Sequence, residues 1–147
     1  LTPYIDKDIK YKIYLSPFMP LNLDSNNYVS TTDLRLIRRM VRDNRTRGND
    51  VSKTICSWQD VRSGEEKYIF PYINTSDVII NTSLVYEIGV LKVFAEPLLY
   101  SVGTDSVYYE EARRLINFLK SYYPISSEYI AEDCVLREFI GGSCFEN

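Results

Sequence analysis

The sequence predicts an α/β unit: about two parallel strands with a predominantly helical remainder. Three observations carry that expectation. Two short runs, Tyr11–Leu15 and Asp77–Asn81, are rich in β-branched and apolar residues and bounded by polar or proline-bearing segments. Between them lies a helix with start and stop signals at both ends, which argues for βαβ connectivity. After them, apolar residues recur with the 3.6 period of helices. The 147 residues are expected to form a single unit, with strands and an arginine-rich helix in 1–81 and a helical extension in 82–147.

Each element has a local reason. Tyr11-Lys12-Ile13-Tyr14-Leu15 reads as a strand that runs into a loop, because Pro17 and Pro20 come directly after it. The loop from Ser16 to Ser30 carries Asn22, Asp24, Asn26 and Asn27. Ser30-Thr31-Thr32-Asp33 then offers hydroxyl N-caps and an acid for the first turn of a helix. Gly48 stops that helix, and Asp50 caps a second with Val51, Ile55 and Trp58 on one face. Gly64 is expected in a turn and Lys67–Phe70 in extended form before Pro71. The run Asp77–Asn81 reads as a buried parallel strand. Leu84, Ile88, Leu91, Ala95 and Leu98 keep a helical period up to a break near Pro97. Asp105 or Ser106 caps a helix that turns Ala112, Leu115, Ile116 and Leu119 inward and ends near Pro124. A last short helix, about Asp133 to Ile140, stops at Gly141-Gly142.

Composition closes off several chemistries. Without histidine there is no Ser-His-Asp or Cys-His nucleophilic pair and no His-containing zinc site. Cys56, Cys134 and Cys144 are too few for a four-thiolate zinc site and odd in number for a disulfide framework. They read as small buried hydrophobes, and a reduced, cytoplasmic compartment is the simplest setting. No apolar run approaches the roughly 20 residues that span a bilayer, so no membrane is expected as partner. None of the six glycines precedes a lysine, so the phosphate loop GxxxxGK[ST] is not in these residues. The chain begins at Leu1 rather than Met, which reads as a piece of a longer chain.

The net charge of −3 hides a basic island: six of the ten arginines lie between Arg35 and Arg47. At 100° steps from Leu34, the side chains Leu36, Met40, Ile37 and Val41 occupy about 200° to 340° of the helix. Arg45, Arg38, Arg42, Arg35 and Arg39 occupy about 20° to 140°. One face packs and the other presents guanidiniums, which bind phosphate through paired hydrogen bonds. The bland alternative is a solvated face with intrahelical ion pairs, but within the window only Asp43 offers a partner. RNA is the other polyanion to weigh, and the acidic remainder of the chain argues against nucleic acid as partner. The pairs Glu65-Glu66, Glu110-Glu111 and Glu132-Asp133 read as surface charges.

From Asp33 to Gly48 the sequence fits D-x-R-L-x-R-R-x-x-R-D-x-x-x-R-G at each fixed position. In this it resembles the uridine kinase and phosphoribulokinase family. Val61-Arg62, Glu65, Tyr68-Ile69-Phe70-Pro71 and Asp77-Val78-Ile79-Ile80 are similar to the next blocks of that family's pattern. Leu84-Val85-Tyr86-Glu87, Ala95-Glu96-Pro97-Leu98-Leu99 and Arg137-Glu138-Phe139-Ile140-Gly141-Gly142-Ser143 resemble one bacterial nucleoside kinase subgroup. In that subgroup the kinase part comes after a region similar to the N-terminal part of threonyl-tRNA synthetase.

The resemblance implies the C-terminal portion of a P-loop nucleoside kinase domain, transferring the ATP γ-phosphate to a nucleoside 5′-hydroxyl. The arginine helix would be part of a lid. By position Arg39 matches a nucleoside-binding arginine, Arg42 and Arg47 match phosphate-binding ones, and Arg35 and Arg38 extend the basic face. Asn49 stands where the family often has another basic residue. The phosphate loop, the Mg²⁺ ligands and the activating acid would lie upstream, so ATP and Mg²⁺ belong to the longer parent and no turnover is expected of this chain alone. Its expected partners are ATP, a nucleoside, the upstream half of its own domain and, through an uncovered sheet, a second copy in a homodimer. The alternatives are a kinase acting on a sugar phosphate and a non-catalytic nucleotide- or RNA-binding regulatory module.

Overall fold

In the computed structural model, which describes residues 5, 6, 9–19, 22, 25 and 28–145, the two apolar runs pair in parallel. Strand β1 spans Ile13–Ser16 and β2 spans Val78–Asn81, with Ile13 opposite Val78 and Leu15 opposite Ile80. The α/β class with two parallel strands is thus the fold observed. Polar side chains fix the strand ends. The Lys12 N–H donates to Asp77 Oδ2 at 2.6 Å, while the Asn81 amide accepts from the Phe18 N–H and donates to its carbonyl. Of the loop residues singled out above, Asp24, Asn26 and Asn27 lie outside the described residues; Asn22 bridges Tyr28.

Six segments of the described residues are α-helical: α1 Thr31–Arg47, α2 Val51–Cys56, α3 Trp58–Tyr68, α4 Glu87–Tyr100, α5 Tyr109–Leu119 and α6 Arg137–Ile140. Two of the three expected N-caps form, and the third does not: α5 starts after Tyr108, with no side-chain cap from Asp105 or Ser106. Ser30 Oγ accepts from the Asp33 N–H, and Asp50 accepts from the Lys53 N–H. Gly48 closes α1 at φ 62°, a left-handed conformation that costs glycine least. Helix α1 packs on α4 and α6, and α4 on α5. Leu34, Ile37, Val90, Leu91, Ala95, Leu115, Leu119 and Leu136 form the centre of this core and are fully buried. Gly89 allows a close approach. A Cβ there would lie 2.8 Å from the Tyr123 carbonyl oxygen, and the Gly89 carbonyl accepts from the Ile125 N–H.

Five further expectations are corrected. Gly64 lies inside α3 rather than in a turn, and Lys67 and Tyr68 are helical, with a 3₁₀ stretch after them over Phe70–Thr75. A mid-helix glycine costs about 1 kcal/mol; next to it Glu65 is held by Arg35, and Arg62 pairs with Glu66. Helix α4 does not break at Pro97, because Ala95 and Leu99 on either side of it are buried and hold the last turn. Strand β2 is not buried: Ile80 lies on the open face with Ile13 and Leu15, and Ile79, although it shares a face with the buried Tyr14 and Ser16, is itself half-exposed. The cysteines are not core residues either, since Cys56 and Cys144 are exposed and Cys134 is half-buried, all as free thiols. Helix α6 holds only four residues, because a turn precedes it at Cys134–Arg137. Among the described residues no helix is long and apolar enough to cross a membrane.

Candidate functional site

Four of the α1 arginines, Arg35, Arg38, Arg39 and Arg42, line one cavity of about 220 Å³. Trp58 and Glu65 on α3 form another wall, and Pro17 after β1 and Phe139 on α6 complete it. Residues of α1, α3 and α6 and the segment after β1 therefore meet at this place. Arg47, predicted to act with Arg42, is not among the cavity residues.

The arginines are not a bare basic stripe. Arg38 is buried with Glu87, which is fully buried. Its Nε and Nη2 donate to the two carboxylate oxygens, Nη2 also reaches the Thr82 carbonyl at 2.8 Å, and the guanidinium lies 5.0 Å above the Phe139 ring. Glu87 further accepts from the Leu84 N–H at 3.0 Å. Two desolvated charges are tolerable because their bonding capacity is met in this way. Arg35 donates to Glu65, which is a buried partner and not the surface charge its neighbour Glu66 suggested. Arg45 donates to the Phe139 and Glu138 carbonyls, closing the C-terminal end of α6.

The centre of the outer cluster is Asp43, a nearly buried carboxylate. Arg42 and Arg47 both donate to its Oδ1, at 3.2 Å and 3.1 Å. Arg39 Nε lies 3.3 Å from Oδ2 but is not aligned to donate to it, and that nitrogen is buried with no hydrogen-bond partner among the described residues. Three guanidiniums thus share one carboxylate, with the exposed Glu138 3.8 Å from Arg42. Positive charge is in surplus, and the Arg39, Arg42 and Arg47 side chains keep 28%, 29% and 57% of their surface open. Such a cluster attracts an anion that can take up the remaining donors.

Asp33, the first fixed residue of the arginine pattern, is clamped from the helical extension. Arg114 on α5 donates to both of its oxygens, at 2.9 Å and 2.7 Å, and also to Glu111. Hydrogen bonds to Glu111, then to Asp33, raise the Arg114 pKa further above its ordinary value.

Pattern reasoning found the arginines but missed their surroundings. Glu87 and Glu65 lie 49 and 30 residues from their partners in the chain, beyond the reach of helical spacing. Trp58 was assigned to an apolar helix face, and Phe139 to a terminal helix with no stated tie to α1. The one signal that could have found the cavity wall was Trp58 itself, the chain's single tryptophan, placed shortly after the arginine helix.

A parallel α/β unit thus turns four guanidiniums of one helix toward one cavity. Residues 22–88, from before α1 to the first turn of α4, match the model of the Phosphoribulokinase / Uridine kinase family. No curated protein and no solved structure matches the chain. Among the described residues no group of three or more acidic or cysteine side chains is placed to hold a metal ion.

Proposed function

We propose that this chain is the C-terminal lid and acceptor-side portion of an ATP-dependent nucleoside kinase. The observation that carries the reading is the gathering of Arg35, Arg38, Arg39 and Arg42 around one cavity, inside the stretch that matches the kinase family. Arg39 serves the nucleoside, and Arg42 and Arg47 the phosphates. A loose phosphoryl-transfer transition state is stabilised by positioned positive charge in a site sheltered from water. Asp43 supports that role by holding Arg42 and Arg47 on one oxygen without neutralising them. Glu87 and Phe139 fix Arg38, and through it the pitch of the helix that carries the others.

The phosphate loop is not in this sequence, so transfer requires that it come from outside these residues. The half-exposed apolar face of the β1–β2 sheet supports the partner part of the reading, in which the strands join the upstream half of the domain or a second copy. Ion pairing of most of the arginines disfavours the RNA-binding alternative, which needs an open cationic stripe.

Two measurements test the proposal. The 147-residue protein should bind pyrophosphate weakly and in a salt-sensitive way, and Arg42→Ala with Arg47→Ala should remove that binding. Joined to its P-loop segment, the protein should form ADP from ATP only when a nucleoside is present. Nucleoside-independent turnover, or none, would overturn the acceptor assignment.

A further inference from the structure

The arginine cavity contains a side chain that phosphate does not need. Trp58 opens α3 and borders the same space as Arg39 and Arg42, with its body packed against the core. The residue as a whole is partly buried, with intermediate exposure. Among the described residues, the ring contacts are Phe118 with Tyr122, Arg38 with Phe139 and Lys67 with Tyr68; none takes the indole. The cavity thus has one aromatic ring already paired with a guanidinium, Phe139, and a second, Trp58, with no such ring or cation partner among the described residues.

The neighbouring donors are unequally committed. Arg38 is consumed by Glu87 and the Thr82 carbonyl, and Arg35 by Glu65. Arg39 and Arg42 share Asp43 and keep donors to offer. A partly exposed indole without a stacking partner, beside two under-committed guanidiniums and a carboxylate, suits a planar ring that bears carbonyl oxygens and is joined to an anionic group. At about 220 Å³ the space is below the roughly 300–1,000 Å³ of drug-sized ligand sites and suits a small ring.

We propose that Trp58 is the ring-recognition residue of this site, stacking on the base of a nucleoside or nucleotide whose oxygens are bonded by Arg39 and Arg42. The proposal rests on the nucleoside reading above and assigns within it the contact that separates a base-bearing acceptor from a sugar phosphate. Stacking of a base on an aromatic side chain suffices for about a tenfold change in affinity.

Because Trp58 is the only tryptophan, its fluorescence reports this cavity alone. The full 147-residue protein is titrated with uridine 5′-monophosphate, ribose 5-phosphate and pyrophosphate, by fluorescence and by calorimetry. The expected result is quenching by uridine 5′-monophosphate and about tenfold tighter binding of it than of ribose 5-phosphate. Trp58→Leu should abolish that preference and leave pyrophosphate binding unchanged, whereas Trp58→Phe should keep most of it. Circular dichroism melts confirm that both variants fold. Equal binding of the two sugar phosphates, or a Trp58→Leu variant that loses pyrophosphate as well, overturns the stacking role while the anion site stands. If pyrophosphate does not bind the unaltered protein, the lid reading fails and the stacking role fails with it.

Discussion

The β1–β2 sheet and the helical layer behind α1 treat their apolar side chains in opposite ways. In the sheet, Ile13, Leu15, Ile79 and Ile80 remain 53%, 61%, 49% and 45% exposed. In the layer, Leu34, Ile37, Leu91, Leu115 and Leu136 are fully buried. The sheet is held by its ladder and by the Asp77 and Asn81 side-chain bonds, while the layer is held by burial. Since burial is the larger favourable term in folding, the helical layer anchors the fold and the sheet is carried along by it. The arginine cavity lies where the two meet, with Pro17 after β1 on one side and the buried Arg38 on the helical side.

The comparison is broken most severely by Glu87→Ala. Removing the carboxylate leaves the Arg38 guanidinium buried and unpaired, and the expected loss is about 3–5 kcal/mol by urea denaturation. A loss below about 1 kcal/mol would show that Arg38 swings out to solvent.

A smaller effect is expected at Tyr122, whose hydroxyl is buried beside the Phe118 ring without a hydrogen-bond partner among the described residues. Burial raises its phenol pKa, so the folded chain holds that proton to higher pH than the unfolded chain. Its contribution is therefore complete below about pH 10 and is lost as pH rises through the folded-state pKa. Tyr122→Phe should stabilise the protein by up to about 1 kcal/mol at neutral pH and reduce the loss of stability in alkali. Melting curves at neutral and alkaline pH check both statements.

The smallest effect is expected in the sheet. Leu15→Thr keeps β propensity and removes exposed apolar surface, so stability should change by no more than about 0.5 kcal/mol. Light scattering on the same variant sharpens the comparison. If the open face mediates self-association, the substitution should shift the protein toward monomer, and an unchanged mass distribution would count against that role.

Much of this was legible in the chain. The Ser30 and Asp50 caps, the Gly48 stop, the inward set Ala112, Leu115, Ile116 and Leu119, and the parallel pairing of two short runs all come from local chemistry and periodicity. The errors share one cause. Gly64, Pro97 and the β2 run were judged by propensity, but helix continuity was decided by the contacts of Glu65, Ala95 and Leu99, and the packed helices bury Tyr14 and Ser16 of β1 while Ile79 and Ile80 of β2 stay half-exposed. The candidate site was half legible, because spacing put Arg35, Arg38, Arg39 and Arg42 on one arc but could not say which of them were already engaged.

By itself the sequence determined the arginine helix, its caps, its two faces and the kinase family it resembles, because those depend on residues within a few turns of one another. Only the tertiary structure decided that Glu87 takes Arg38, that Glu65 takes Arg35, and that Asp43 leaves Arg39 and Arg42 with donors beside Trp58. Ion pairing acts through space with no fixed period along the chain, so which guanidiniums remain open to a ligand is settled only when distant carboxylates are folded against them.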